Sequence, residues 1–224
     1  MKLEGRVGEV LSARGADEQL RMGSYADIIV SELQGRYFEL ALRNRLFHSI
    51  VKAVTIAATH NSPIAAVTAT PVLGLLNPAT SAKAAVILRV ATSTVSGTPA
   101  GGQFVLNAIP AISTYPSTSQ TGSIFSANVG LSSASPQGSL MRVYNNVALT
   151  ALAPVVANEV GLVGAATAAA AAGNGGPGNT GEDIGGAIIV PPATFVAIMA
   201  GSGAGTTWIV NAGWTWAEVD WPLI

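Results

Sequence analysis

From about residue 50 onward the chain is a succession of short apolar runs punctuated by Gly, Pro, Asn, Ser and Thr. Period-two alternation with frequent turn residues is the pattern of many short β-strands. It predicts strands over 49–57, 64–76, 84–94, 103–108, 141–148, 186–190, 194–200 and 207–218. Turn clusters separate them at 77–81, 96–102 and 201–205. The run Val86-Ile87-Leu88-Arg89-Val90 is apolar on both faces except at Arg89, which predicts a central strand covered on two sides. Near the C-terminus, 195–200 and 208–216 flank the glycine-rich Gly201-Ser202-Gly203-Ala204-Gly205, which predicts a hairpin. In its second arm Trp208, Val210, Ala212, Trp214 and Trp216 fall on one face, and Ile209, Asn211, Gly213 and Thr215 on the other. Tryptophans at such spacing line a sandwich core or an oligomer seam more readily than a ligand site. Pro191-Pro192 lacks two ladder donors and marks an edge or corner.

Two regions read differently. Between Gly161 and Gly181 the chain is rich in Ala and Gly; its first half has the composition of a short helix and its second half that of a flexible loop. In the first 50 residues, 28–30 predict a short strand and 31–47 a helix carrying Leu33, Phe38, Leu40, Leu42 and Leu46, with a break at Gly35.

Charge sharpens this division. Fifteen of the 23 charged residues lie in positions 1–52, and none lies between Arg89 and Arg142. Only 10% of the 224 residues are charged, 49% are hydrophobic, and the mean hydropathy is +0.45. The expected organisation is therefore an N-terminal docking arm over 1–50, extended or partly helical, and a β-sandwich domain over 51–224 with a flexible insertion near 161–181. The arm carries Arg6, Arg14, Arg21, Arg36, Tyr37 and Phe38 as candidate contacts. A formal net charge of −1 supplies no basic field for nucleic acid. The long uncharged stretches invite a membrane reading, but a spanning helix needs about 20 apolar residues. The best candidate, 147–172, is interrupted by Pro154, Asn158 and Glu159. Glu4 and Glu9 at the start do not fit a secretory signal, so synthesis in a cytoplasm is expected.

Candidate chemistry is sparse. No cysteine is present, which excludes disulfides, thiolate nucleophiles and Cys-based metal sites. The two histidines, His48 and His60, form no HExxH or HxH, and no serine sits in a GxSxG elbow. Gly173, Gly175 and Gly178 match GxGxxG in spelling, but an alanine tract precedes them and Pro177 sits inside. No catalytic residue, cofactor or metal is therefore expected. Glu218 and Asp220 share a strand face with Trp216, which reads first as a solvated strand end and, as the alternative, as the rim of a carbohydrate site. Trp208, Trp214, Trp216, Glu218 and Asp220 are accordingly the candidate self-association or ligand face.

Four segments, in order, resemble a family. Ile29-Val30-Ser31-Glu32-Leu33-Gln34-Gly35-Arg36-Tyr37-Phe38-Glu39 looks like the V-S-(D/E)-x-x-G-R-Y-(Y/F)-E signature of tailed-bacteriophage virion structural proteins. Asn44 to Phe47 is similar to the G-N-x-F segment that follows it. Leu76-Asn77-Pro78-Ala79-Thr80-Ser81-Ala82-Lys83 with 86–90 resembles their x-N-P-x-G-S-G-K strand pair, with Thr80 and Ala82 where glycine is usual. Residues 190–195 and 214–219 resemble the closing (A/P)-P-G-T-x-(V/I) and W-x-E-x strands.

The resemblance implies a non-enzymatic β-sandwich part of a virion, made in a host bacterial cytoplasm. A surface poor in Lys and Glu suits a part covered by other copies. The expectation is thus a mainly β, jelly-roll-like antiparallel sandwich that self-associates, with a homotrimer favoured, and decorates or stabilises a bacteriophage capsid. Its partners would be itself and the major capsid protein or other virion proteins, without nucleic acid or membrane. The alternative is a receptor- or glycan-binding module of a tail or head fibre, meeting a host surface glycan.

Overall fold

The computed structural model describes residues 36–57, 60, 70–96, 102–111, 123–128, 138–145, 158–166, 180–200 and 208–221. The protein is mainly β, with two antiparallel sheets. After the short helix α1 (Phe38–Leu42) come β1 (Leu46–Thr55), β2 (Leu73–Asn77), β3 (Lys83–Ser96), β4 (Gly102–Ile109) and β5 (Phe125–Ser126). Then follow β6 (Arg142–Tyr144), β7 (Asn158–Ala166), β8 (Thr180–Val190), β9 (Thr194–Ala200) and β10 (Ile209–Asp220). The first sheet runs β5-β1-β10-β3-β8 and the second β6-β2-β9-β4-β7.

Alternation explains the core. Trp208, just before β10, and Val210, Ala212, Trp214 and Trp216 on it all point inward. They meet Leu73, Leu75, Phe104, Leu106, Val196 and Ile198 of the second sheet in one apolar cluster. Phe104 and Trp208 rings lie 5.0 Å apart, and Phe47 stacks on Trp216 at 6.0 Å. β9 goes further and is buried on both faces, with Phe195, Ala197 and Met199 as inaccessible as Val196 and Ile198. It is β9, rather than β3, that has two covered sides, since Arg89 is exposed.

Two local devices fix the second sheet. Phe195 lies across Gly74 of β2, so close that a Cβ there would sit 2.4 Å from its Cζ, and only glycine fits. Asn77, at the end of β2, donates its side-chain N–H groups to the Lys83 carbonyl (2.7 Å) and the Val190 carbonyl (2.9 Å). Lys83 opens β3 and Val190 closes β8, so one buried amide ties an end of the second sheet to two strands of the first.

Several sequence expectations are corrected. The C-terminal pair is not a hairpin: β9 lies in the second sheet and β10 in the first, and the strand that pairs with β10 on one side is β1. Strand-turn-strand spelling is the same whether the chain folds back in one sheet or crosses to the other. The first half of the Ala/Gly segment is strand β7, paired with β4, because ladder partners override the helix propensity of alanine. The remainder of that insertion, at 167–179, lies outside the described residues. Of the helix expected over 31–47, residues 31–35 lie outside the described residues, as does the strand expected over 28–30; in the described part the helix is α1, and 46–47 belong to β1. Asn44, at φ 53°, ends α1: its N–H bonds the Ala41 carbonyl (3.1 Å) and the Arg45 N–H the Leu40 carbonyl (2.8 Å). That is a Schellman closure with asparagine in the left-handed position. The residue-50 boundary lies inside β1, and the chain divides into one unit of Met1–Glu39 and another of Leu40–Ile224. The charge shift marks where the body becomes uncharged, not where it begins.

Ala193, between β8 and β9, is held at φ 59°. This is the position where the resembling motif has glycine, and a Cβ in the left-handed region costs about 1–2 kcal/mol. Offset by the greater chain entropy glycine loses on folding, Ala193→Gly is expected to stabilise the protein by about 0.5–1 kcal/mol. A rise in the urea midpoint tests this; an unchanged or lower midpoint counts against it.

Candidate functional surfaces

The expected ligand face is taken apart by the fold. Trp208, Trp214 and Trp216 are 1%, 1% and 0% exposed, so none is presented to a partner or a sugar. Trp208 donates its indole N–H to Thr94 Oγ1 at 3.1 Å. Trp214 Nε1 is buried with no hydrogen-bond partner. Glu218 is also fully buried. It accepts from the Ser139 hydroxyl, from the Leu140 N–H (3.3 Å) and from the Trp216 indole (3.4 Å), with Lys83 Nζ at 3.9 Å. Ser139 Oγ in turn accepts the Met141 N–H at 3.1 Å. A carboxylate so enclosed fastens the 138–141 segment to β10 and has no face for a substrate. Only Asp220 of the set is exposed, and it pairs with Arg45 at 3.4 Å. A solvent-exposed pair of this kind contributes little.

The docking-arm residues divide. Arg6, Arg14 and Arg21 lie outside the described residues. Arg36 and Phe38 are exposed and Tyr37 is half-buried, with the Arg36 guanidinium 5.2 Å from the Tyr37 ring centre. Among the described residues no three of His, Cys, Asp and Glu gather where they could hold a metal, and no helix is long and apolar enough to cross a membrane.

The surface that the sequence reading passed over is the outer face of the first sheet. Antiparallel register sets its side chains in rows across the strands. One row is Phe125, His48, Thr215, Arg89 and Asp183; the next is Ile50, Gly213 and Ala91; then Asn211 and Ser93. Ile50 is 56% exposed, Val95 52%, Ile189 45% and Phe125 39%, an apolar display interrupted only by Lys52, Arg89 and Asp183 among described exposed charges. At the rim of this face β1 bulges at Lys52 and Ala53. The Ala53 N–H there bonds Asn211 Oδ1 at 3.0 Å, and Asn211 Nδ2 reaches Ser93 Oγ at 3.2 Å. The sequence did place Ile209, Asn211, Gly213 and Thr215 together opposite the tryptophans. It read the tryptophan side as sandwich core or oligomer seam, and the structure makes it core.

His48 stacks on Phe125 at 6.0 Å between ring centres, and burial pushes its pKa below 6.5. The unfolded chain therefore takes up a proton before the folded one does. Stability is full above pH 6.5 and falls as the pH drops from there through the lowered folded value. Urea midpoints at a series of pH values between 7.5 and 5 should show this decline, and His48→Gln should flatten it; an equal slope in the variant would reject the assignment.

No protein-family model, no curated protein and no solved structure matches this chain.

Proposed function

We propose that this protein is a structural component of a bacteriophage virion that self-associates and decorates or stabilises the capsid, without catalysis. The observation that carries the reading is the pairing order. β1 pairs with β10, β2 with β9, β3 with β8, and β4 with β7. Four strands going out are matched by four coming back, and the whole is rolled so that successive pairs alternate between sheets. We read this order as a jelly roll, an architecture used by viral capsid domains and lectins. The four motif resemblances and the scarcity of charge in the body support the capsid branch of that pair. The lectin branch, a receptor- or glycan-binding module, loses the residues it would have used, since Trp214, Trp216 and Glu218 are enclosed.

In this reading the N-terminal arm meets the major capsid protein or another virion protein, and the body meets copies of itself. The decisive experiment is to locate the chain by cryo-EM in purified particles of the phage that encodes it, alongside a variant lacking residues 1–25. The full chain is expected on the capsid shell, and the truncated chain is expected to lose the particle while keeping its oligomer. A full-length protein that stays monomeric to about 100 µM would overturn the reading.

A further inference from the structure

Self-association has few routes in this fold. Adding a strand to a sheet edge needs a long regular edge, and the edges described here are interrupted, the nine-residue β7 by register shifts at Val160 and Val163. β5 is two residues long and β6 three. On β8, residues 184–187 all stand against Leu88 alone, with Gly185 at φ 60° and Gly186 at φ 91°, a bulge that breaks the edge in its middle. β1, behind β5, bulges at Ala53 with φ 56°. Of the sheet faces, the two inner ones form the core, and on the outer side of the second sheet Leu76, Tyr144, Phe195, Ala197 and Met199 are inaccessible. The outer face of the first sheet is left.

We infer that this face is a contact between two copies of this chain, packed face to face about a two-fold axis running along β10. The inference rests on the self-association reading above and names its surface. Its relief is self-complementary. The middle of the face carries the small side chains of Gly213, Ala91 and Ser93, and Ile50 on β1, more than half exposed, lies beside Gly213. A two-fold axis along β10 lays β1 of each copy over β3 of the other. Ile50 then sits over Ala91 of the second copy, Lys52 over its Ser93, His48 over its Arg89 and Phe125 over its Asp183. Ile50 thus meets a small residue and Lys52 a hydroxyl, the His48 ring lies on a guanidinium and Phe125 on a carboxylate, and no two carboxylates face each other.

The size also suits. Four strands about 4.8 Å apart over about 20–25 Å of length, with the two-residue β5 beside them, give about 450 Å² per copy, hence about 900 Å² in total. That is below the about 1,200 Å² of a stable interface and is the size of a weak contact. A contact of this size suits an assembly in which it is repeated on a particle.

The absence of cysteine makes the test direct. Thr215 lies on the proposed axis, so Thr215→Cys places one thiol close to its own copy across about 10 Å, the spacing of stacked sheets. A short bismaleimide should join two such chains, whereas Ala79→Cys, in the exposed turn before β3, should remain unjoined. Sedimentation of the wild-type chain should show a dimer forming with concentration, and Ile50→Lys should weaken it at least about tenfold, as loss of a central anchor does. Ile50 is more than half exposed, so the lysine variant should fold, which far-UV circular dichroism checks. A wild-type chain that stays monomeric to about 100 µM overturns both this face and the self-association reading. An oligomer that persists in Ile50→Lys, a trimeric mass, or no crosslink through Cys at 215 overturns the face and leaves self-association standing.

Discussion

Replacing Trp216 with alanine is expected to lower stability by about 3–5 kcal/mol, the cost of emptying a large aromatic site in a packed core. The ring is wholly buried, stacks on Phe47, and donates its N–H to Glu218. Neighbours on three strands would have to move to refill the space, and strands held in two ladders move little. Against the 5–15 kcal/mol typical of a folded protein, such a loss leaves a marginal fold. In a thermal melt followed by far-UV circular dichroism the midpoint should drop by about 10–15 °C. A drop of about 2 °C or less would mean that Trp216 is not a core residue. Trp214 supplies a contrast. Its indole N–H has no partner, so Trp214→Phe removes a buried polar group that costs energy, whereas Trp216→Phe also strands an acceptor lobe of Glu218. Trp216→Phe should therefore be the more damaging of the two.

Glu218→Ala should be of similar size, about 3–5 kcal/mol, for a different reason. Here the loss is of partners rather than volume. The Ser139 hydroxyl, the Leu140 N–H and the Trp216 indole would lose their acceptor together, and Lys83 its counter-charge. Glu218→Gln keeps the shape and one acceptor oxygen but turns an amide N–H₂ towards donors, so its urea midpoint should fall between wild type and Glu218→Ala. If Glu218→Ala unfolds at the wild-type midpoint, the carboxylate does not fasten the 138–141 segment. The same experiment bears on function. A carbohydrate-site acid at position 218 would affect binding with little change in stability, the reverse of what its burial implies.

How much was legible in the sequence varies from element to element. The inward set on β10 followed from period two, because alternate Cβ atoms leave a strand on opposite sides whatever it pairs with. The turn after β2 was also visible in Asn77-Pro78, although the bridge Asn77 makes to Val190 was not, since that carbonyl is 113 positions away. β7 was missed because alanine and glycine carry no alternation of their own; pairing with β4 makes them a strand. β5 is two residues long and gives no periodicity to find. The candidate ligand face failed for a related reason. Trp216, Glu218 and Asp220 do follow one another at strand spacing, but the chain does not say on which side the second sheet lies. With that sheet in place, the tryptophans and Glu218 are inside, Asp220 is at the rim, and the uncharged surface of interest is the opposite face with Ile50 and Gly213.

What the sequence determined by itself was therefore everything set by near neighbours: a mainly β body, its approximate strand positions, and a body with almost no charge next to a charged N-terminal stretch. What only the tertiary structure decided was pairing and side. β1 takes β10 as its partner, with Leu46 opposite Ala217, and β9 crosses away from β10 into the other sheet. The physical reason is that alternation is a local property, with a range of two residues, whereas a ladder joins any two strands whose faces and register agree once the chain has closed the long loop between them.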